Sequence, residues 1–240
     1  MKRWLLFDID GTLARSGQRL ETEMVERLQQ LVKLEGYELV AVGGGVYTKI
    51  CWQLGDALSS FSFVFSECGC VLHDRHGVLL STRSLKTHPF YPMIDRLIKK
   101  ALHFLSTVDY ELTGHLIDRR SGLVYISLIG MTADEEERQY FLALDRERHY
   151  ITRLLDELIT ECPPGIDIVK GGSVGIAIYP TEWDKEQVLE FFPDTSNEIH
   201  YFGDRYQSGG NDHRILHHPR VHGHPTDSPA QTLKLLYDNF

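Results

Sequence analysis

Four cysteines are all that this 240-residue sequence carries, and Cys51, Cys68, Cys70 and Cys162 follow neither a disulfide framework nor a zinc-site spacing. Cys68-Gly69-Cys70 alone is too short a pattern to argue for a metal, so the chain reads as a reduced protein of the cytosol. Cations are scarce as well: 25 Lys and Arg stand against 34 Asp and Glu, a net charge of −9. A phosphate backbone calls for clustered cations, so nucleic acid is not expected as a partner. No apolar run approaches the about 20 residues of a membrane span. The Met-Lys-Arg start leads into a stretch too short for a signal peptide. Internal repeats and low-complexity tracts are missing too, which leaves one large domain or two small ones with ample chain for a core.

What is present is concentrated first near the N-terminus. Trp4-Leu5-Leu6-Phe7 is an unbroken apolar run, the pattern of a short strand buried on both faces, and Asp8-Ile9-Asp10-Gly11-Thr12 follows it directly. Where a strand ends the backbone turns, so Asp8 and Asp10 are expected to aim at one small volume from different angles. Paired carboxylates repel unless a cation lies between them, and hard oxygen ligands suit Mg²⁺. The plain alternative is an Asx-type turn that closes the strand.

Along the chain, 21–34 carries Met24, Val25, Leu28, Leu31 and Val32 on one helical face, and Gly36 ends it. A second buried strand is expected over 38–42, with Gly43-Gly44-Gly45 at its end. Strand, helix and strand with short joints make a right-handed parallel unit, whose ligands bind beyond the carboxyl ends of the strands. A third strand over 61–65 and a hairpin turn at 73–77 come next. From about 82 the character changes: helix over 88–105, strand pieces over 118–129, a charged helix over 133–155 and more short strands over 165–179. A helix over 183–192 and an apolar strand over 198–202 then resume the first pattern. The predicted fold is therefore α/β, a doubly wound parallel core from 1–81 and 182–240, with an inserted α+β cap over 82–181.

The resumed stretch adds chemistry. Asp204 stands at a strand end and Asp212 in a glycine-rich loop, Gly209-Gly210-Asn211-Asp212. With Asp8 and Asp10 they are enough to hold one Mg²⁺, water and phosphate oxygens completing its shell. Lys185 opens the preceding helix, where a cation can neutralise a phosphate and a carboxylate together; a solvated helix lysine is the alternative. His213, His217, His218, His222 and His224 crowd twelve positions. A polar surface loop between Pro219 and Pro225 is expected there, with a second metal site as the alternative.

Asp8-Ile9-Asp10-Gly11-Thr12, Trp183-Asp184-Lys185 and Gly203-Asp204 through Gly209-Gly210-Asn211-Asp212-His213 resemble the eukaryotic-type phosphomannomutases of the haloacid dehalogenase superfamily. Glu67-x-Gly69, Ser127-x-Ile129-Gly130 and Pro219-Arg220 extend the likeness over nearly the whole chain. The resemblance implies that Asp8 is the nucleophile that becomes an aspartyl phosphate and that Asp10 is the general acid/base. It implies further that Lys185 steadies the phosphoryl group, that Asp204 and Asp212 join the Mg²⁺ site, and that two copies pair through the cap. A carboxylate nucleophile splits one difficult transfer into two, and positioning with charge neutralisation does most of the rest.

The departures are specific. The family carries Gly-Gly-Ser-Asp after its second strand, and here Gly44-Gly45-Val46 puts Gly45 where that serine stands. Backbone N–H groups at this turn can still meet a phosphate oxygen. Cys68 replaces an asparagine and Gly17 an arginine of the first loop. In the cap, Arg120 remains of the family's sugar-phosphate clamp, while Thr113, Met131, Gly175 and Ala177 occupy other clamp positions. A charge-assisted hydrogen bond contributes about 1.5–3 kcal/mol, so a hexose phosphate would be held far more weakly. The expectation is Mg²⁺-dependent phosphoryl transfer from a small phosphorylated metabolite, with release to water favoured over a mutase cycle. A true hexose-phosphate mutase is the alternative, and a catalytically impaired binding or regulatory homologue the second.

Overall fold

The computed structural model describes residues 2–194 and 196–240. In chain order it begins with β1 (Arg3–Phe7), α1 (Thr22–Leu31), β2 (Tyr37–Val42), α2 (Tyr47–Leu54), β3 (Phe61–Ser66), β4 (Val71–Asp74) and β5 (Leu79–Thr82). Then come α3 (Tyr91–Leu105), β6 (Ile117–Arg119), β7 (Val124–Ser127), α4 (Glu135–Arg148), α5 (Tyr150–Ile159), β8 (Ile166–Gly171) and β9 (Gly175–Pro180). The last elements are β10 (Glu198–Gly203), α6 (His213–Leu216), β11 (His222–Pro225) and α7 (Pro229–Asn239). The chain divides into two compact units, Met1–Arg83 with Trp183–Phe240, and Ser84–Glu182.

The first unit is a seven-stranded sheet in the order β11-β10-β1-β2-β3-β4-β5. Its first five strands run parallel, and β4 and β5 turn back antiparallel. The apolar run of β1 explains its central place, because alternate residues feed a core on each face. Leu5 and Phe7 pack with Met24, Leu28 and Leu31 of α1, with Ile50 and Leu54 of α2, and with Leu236 of α7. Leu6 looks the other way, toward Val188, Leu189, Phe192, Tyr201 and Ile215. Each fully buried Leu or Phe here contributes about 1.5–3 kcal/mol. That burial fixes the register, so the carboxyl ends of β1 and β10 finish side by side, with Phe7 opposite Phe202.

The second unit is a four-stranded antiparallel sheet, β6-β7-β9-β8, with α3, α4 and α5. Val124, Ile126, Ile168, Ile176 and Ile178 are buried on one face, and α5 packs against β8 and β9. The alternate residues Leu123, Ala177 and Tyr179 form a small apolar cluster with Tyr125 and Val169.

Three sequence expectations are corrected. The helix expected over 133–155 is two, because His149 adopts a left-handed conformation, φ +55°, between α4 and α5. Asp134 and Glu137 close a reciprocal capping box that starts α4. The stretch expected as a helix over 183–192 is a 3-10 helix, Lys185–Phe191, with the Asp184 side chain accepting from the Glu186 N–H. The histidine-rich segment is not a loop: it forms α6 and the edge strand β11, with His200, His222 and His224 stacked across β10 and β11.

Candidate active site

β1 and β10 place Asp8 and Asp204 at neighbouring strand ends, and the loop after β10 brings Asp212 to them. One carboxylate oxygen from each of Asp8, Asp204 and Asp212 lies within 4.8 Å of the others. Lys185, at the start of its 3-10 helix and wholly buried, donates to Asp8 Oδ1 at 2.5 Å and to Asp212 Oδ1 at 2.7 Å. Tyr201 donates its hydroxyl to the same Asp212 oxygen at 2.5 Å, and the Arg205 N–H meets Asp212 Oδ2 at 3.1 Å.

Burial and charge set the electrostatics. Burial pushes the Asp8 carboxyl up to about 8, opposed by Lys185 and reinforced by Asp212 and Asp204. Asp204 is raised too, by burial and then by Asp212. Burial would lower Lys185, but Asp212 and Asp8 outweigh it and hold the ammonium charged. Three carboxylates and one ammonium carry −2 (−3 + 1) when ionised, the charge a divalent cation cancels. Asp204 Oδ1 is buried with no hydrogen-bond partner among the described residues, as a ligand atom without its ion would be. Hard oxygen donors at this spacing fit a hard divalent ion.

Asp10 was expected among the metal carboxylates, and its side chain is not in this cluster. Beyond β1 the chain leaves the two-residue alternation: the N–H groups of Leu13 and Ala14 bond back to Ile9 O, and Gly11 takes φ +92°. Glycine is required at position 11 because a Cβ there would run into the Asp204 carboxylate. Asp10 turns instead to Lys49 Nζ at 2.6 Å, Gln53 Nε2 at 2.8 Å and the Gly17 N–H at 2.7 Å. Burial opposes its ionisation, but the hydrogen bonds from Lys49 and Gly17 hold its carboxyl below the usual range. Asp10 is therefore an anion at neutral pH.

Gly44 and Gly45 lie in the turn from β2 to α2, which is tied to the end of β3 by the bonds of Glu67 N–H to Gly45 O and Cys68 N–H to Gly43 O, both 3.0 Å. Asn211, the neighbour of Asp212, stands beside Gly44: its Nδ2 would be 3.8 Å from a Cβ placed there. Arg120 belongs to the second unit, where its Nε meets Asp118 Oδ2 at 2.7 Å and its guanidinium lies over the Tyr125 ring. The residues that sequence reasoning passed over are Lys49, Gln53 and Tyr201. Lys49 and Gln53 carry a weak signal, two polar residues four apart on α2, one in its first turn and one in its last. Tyr201 carries none, being one more aromatic residue in a buried strand.

Comparison with known protein sequences points to one family. Residues 22–240 match the family model described as eukaryotic phosphomannomutase. A phosphomannomutase of Solanum lycopersicum is 35% identical over 234 residues, covering 95% of this chain and 90% of that protein. Phosphomannomutase 1 of Homo sapiens is 34% identical over 235 residues, with 95% and 88% covered. Among solved structures, a haloacid dehalogenase-like hydrolase from Bacteroides thetaiotaomicron superposes with a TM-score of 0.61 at 13% identity over 100% of both chains. An IMP-nucleotidase of Plasmodium falciparum gives 0.62 at 16% identity, over 98% of this chain and 67% of its own. These two likenesses concern the fold.

Proposed function

The chain belongs to the eukaryotic phosphomannomutase family of haloacid dehalogenase-type phosphotransferases, and from that premise we propose that it interconverts hexose 1- and 6-phosphates through an aspartyl phosphate at Asp8. The observation that carries this reading is the buried ammonium of Lys185 bridging Asp8 and Asp212. Such a cation can cancel charge on a phosphoryl group and on its carboxylate acceptor at once.

In the cycle, the Asp8 carboxylate oxygen bonds to phosphorus as the phosphorus–oxygen bond to the donor sugar breaks, and the departing sugar oxygen takes a proton from the protonated form of Asp10. A hydroxyl of a sugar monophosphate then attacks phosphorus, its proton passes to Asp10, and the Asp8 carboxylate is released. The resulting bisphosphate returns its other phosphoryl group to Asp8, and Asp10 gives the proton back to the departing oxygen. The depressed carboxyl of Asp10 leaves it unprotonated when the sugar hydroxyl attacks, so it is free to accept that proton. Asp8, Asp204 and Asp212 are the residues that would hold Mg²⁺. A bound Mg²⁺ would neutralise charge on the phosphoryl oxygens. Family likeness also supports the second unit as the cap, pairing of two copies through it, and residence in the cytosol; sedimentation of the purified chain checks the pairing.

A second reading, hydrolysis with water in place of the sugar hydroxyl, is favoured by the second unit. Ala177, at a clamp position, sits in an apolar cluster with Leu123 and Tyr179, and Arg120 is already paired with Asp118. Hydrolysis was the first expectation from sequence, and the relatives at 34–35% identity favour the mutase over it. Phosphorus NMR of mannose 1-phosphate with Mg²⁺ and catalytic hexose bisphosphate separates the two. Faster appearance of the 6-phosphate than of inorganic phosphate supports the mutase; inorganic phosphate alone supports hydrolysis; neither product removes both.

A further inference from the structure

Lys185 opens a 3-10 helix, and the hydrogen bonds of such a helix are poorly aligned and hold a segment weakly. Something beyond the helix must therefore fix where its ammonium points. Apolar packing supplies a part: Val188 and Leu189 share a buried cluster with Ile215 and Leu216 of α6. Contacts of that kind are non-directional, and they do not set the rotation of the turn that bears Lys185.

Arg214 supplies the direction. It lies on α6, two residues beyond Asp212. Its Nη1 is 3.2 Å from Asp184 Oδ2 and its Nη2 is 2.5 Å from Glu186 Oε2, so one guanidinium holds the residues on both sides of Lys185. Asp184 is buried, and its other oxygen accepts from the Glu186 N–H at 2.9 Å, which starts the 3-10 helix. Two short segments are thus matched charge for charge. Asp184, Lys185 and Glu186 run minus, plus, minus; Asp212 meets the plus, and Arg214 meets both minuses. Sliding one segment by a residue would set Asp212 against an acid, and like charges at close range repel. The planar, rigid fork of a guanidinium suits two acceptors at once, as a lysine ammonium would not.

We propose that Arg214 is a positioning residue, which sets the register between the segment of Lys185 and the segment of Asp212 and so holds the buried ammonium on Asp8. This role rests on the reading of Lys185 as the group that neutralises the phosphoryl transfer. It goes beyond that reading by assigning the aim of the lysine to a residue that touches no reacting atom. The Arg214 side chain is 45% exposed and that of Glu186 25%, so the pairing contributes little to stability. Its effect belongs to catalysis.

The test follows consumption of mannose 1-phosphate by the full chain with Mg²⁺, and thermal unfolding of the same samples. Arg214→Met is expected to lower kcat about 10-fold, with KM changed less. Its melting temperature should fall by no more than about 2–4 °C. Arg214→Glu should lower kcat further, and adding Glu186→Arg should return it to within about threefold of wild type, because the exchanged charges pair again across the two segments. Ile215→Val, which loosens the apolar contact alone, should lower the melting temperature with kcat unchanged. An Arg214→Met kcat within about twofold of wild type, no recovery in the exchanged pair, or an equal loss of kcat in Ile215→Val would each overturn the proposal. Crystal structures of wild type and Arg214→Met give a readout free of turnover, and they decide if the wild-type chain turns nothing over. Lys185 should lose Asp8 or Asp212 in the variant, and retention of both contacts contradicts the role. Full activity in Asp8→Asn would remove the aspartyl-phosphate reading and leave those two structures to judge the register alone.

Discussion

In the unit built on β1, Asp8, Asp212 and Lys185 are packed together out of solvent, with Asp204 half-buried beside them. In the unit of residues 84–182, Arg120 pairs with Asp118 at the edge of a sheet whose face carries the apolar cluster of Leu123, Tyr125, Val169, Ala177 and Tyr179. Burying unlike charges costs more than solvating them unless geometry and hydrogen bonds repay it. A fold has no need of such a cluster, so its upkeep in the first unit marks where the chemistry is. The second unit keeps a sound hydrophobic core but few charges on its apolar face. The proposed catalytic carboxylates and Lys185 lie in the first unit, and the substituted clamp positions Thr113, Met131, Gly175 and Ala177 lie in the second.

Variants and conditions can break or sharpen that contrast. The largest effect is expected from Asp8→Asn, which removes the proposed nucleophile and should reduce phosphoryl transfer about a thousand-fold or more. An assay of phosphate release or sugar-phosphate isomerisation reads it. Lys185→Met should act on stability as well, since it leaves Asp8 and Asp212 buried without their counter-ion. A loss of about 3–5 kcal/mol in chemical denaturation is expected, far more than for Arg120→Ala in the second unit. Mg²⁺ should raise the melting temperature, by an amount equivalent to about 2.7 kcal/mol at a hundred times its Kd, and Asp204→Asn should abolish the rise. Chelation should reverse it.

Arg120→Ala sharpens the comparison from the other side. It should leave unfolding within about 0.5 kcal/mol of wild type, and raise KM for a hexose phosphate about 10-fold or more. An unchanged KM would mean that the second unit recognises its ligand without this arginine. The smallest effect concerns acid. Burial lowers His200, and it holds His224 at about 4 against an ordinary 6.5, helped by His200 and His222. Glu198, which favours a charged His200, and Arg3, which disfavours it, are the other charges acting there. A folded-state value below the unfolded one means that stability is full above about 6.5 and is lost as pH falls toward 4. A melting temperature that drops across this window, and drops less in His224→Gln, is the expected outcome.

Much of the fold was legible because hydrophobic burial wrote it into local pattern. The run Trp4–Phe7 and the apolar strands over 38–42 and 198–202 give the parallel core, since a strand covered on both faces needs no polar residue. The cluster was half legible. Asp8, Asp204 and Asp212 announce themselves as acids after strands, but Lys185 gains meaning only when its helix lands against β1 and β10. Asp10 misled because the two-residue alternation stops where Gly11 reverses the chain. Tyr201 was silent, for its hydroxyl matters only through a partner eleven residues away across a loop. The break at His149 was hidden because the sequence continues helical on both sides, and a left-handed residue that is not glycine leaves no compositional mark.

The most direct test of the catalytic account is to let the chain react with a sugar phosphate carrying a labelled phosphoryl group, quench in acid, and locate the label by peptide mass spectrometry. The label is expected on Asp8, in the peptide that runs from β1 into Asp10, and absent from the Asp8→Asn variant. Label on another residue, or turnover with no labelled protein at any time, would contradict phosphoryl transfer through Asp8.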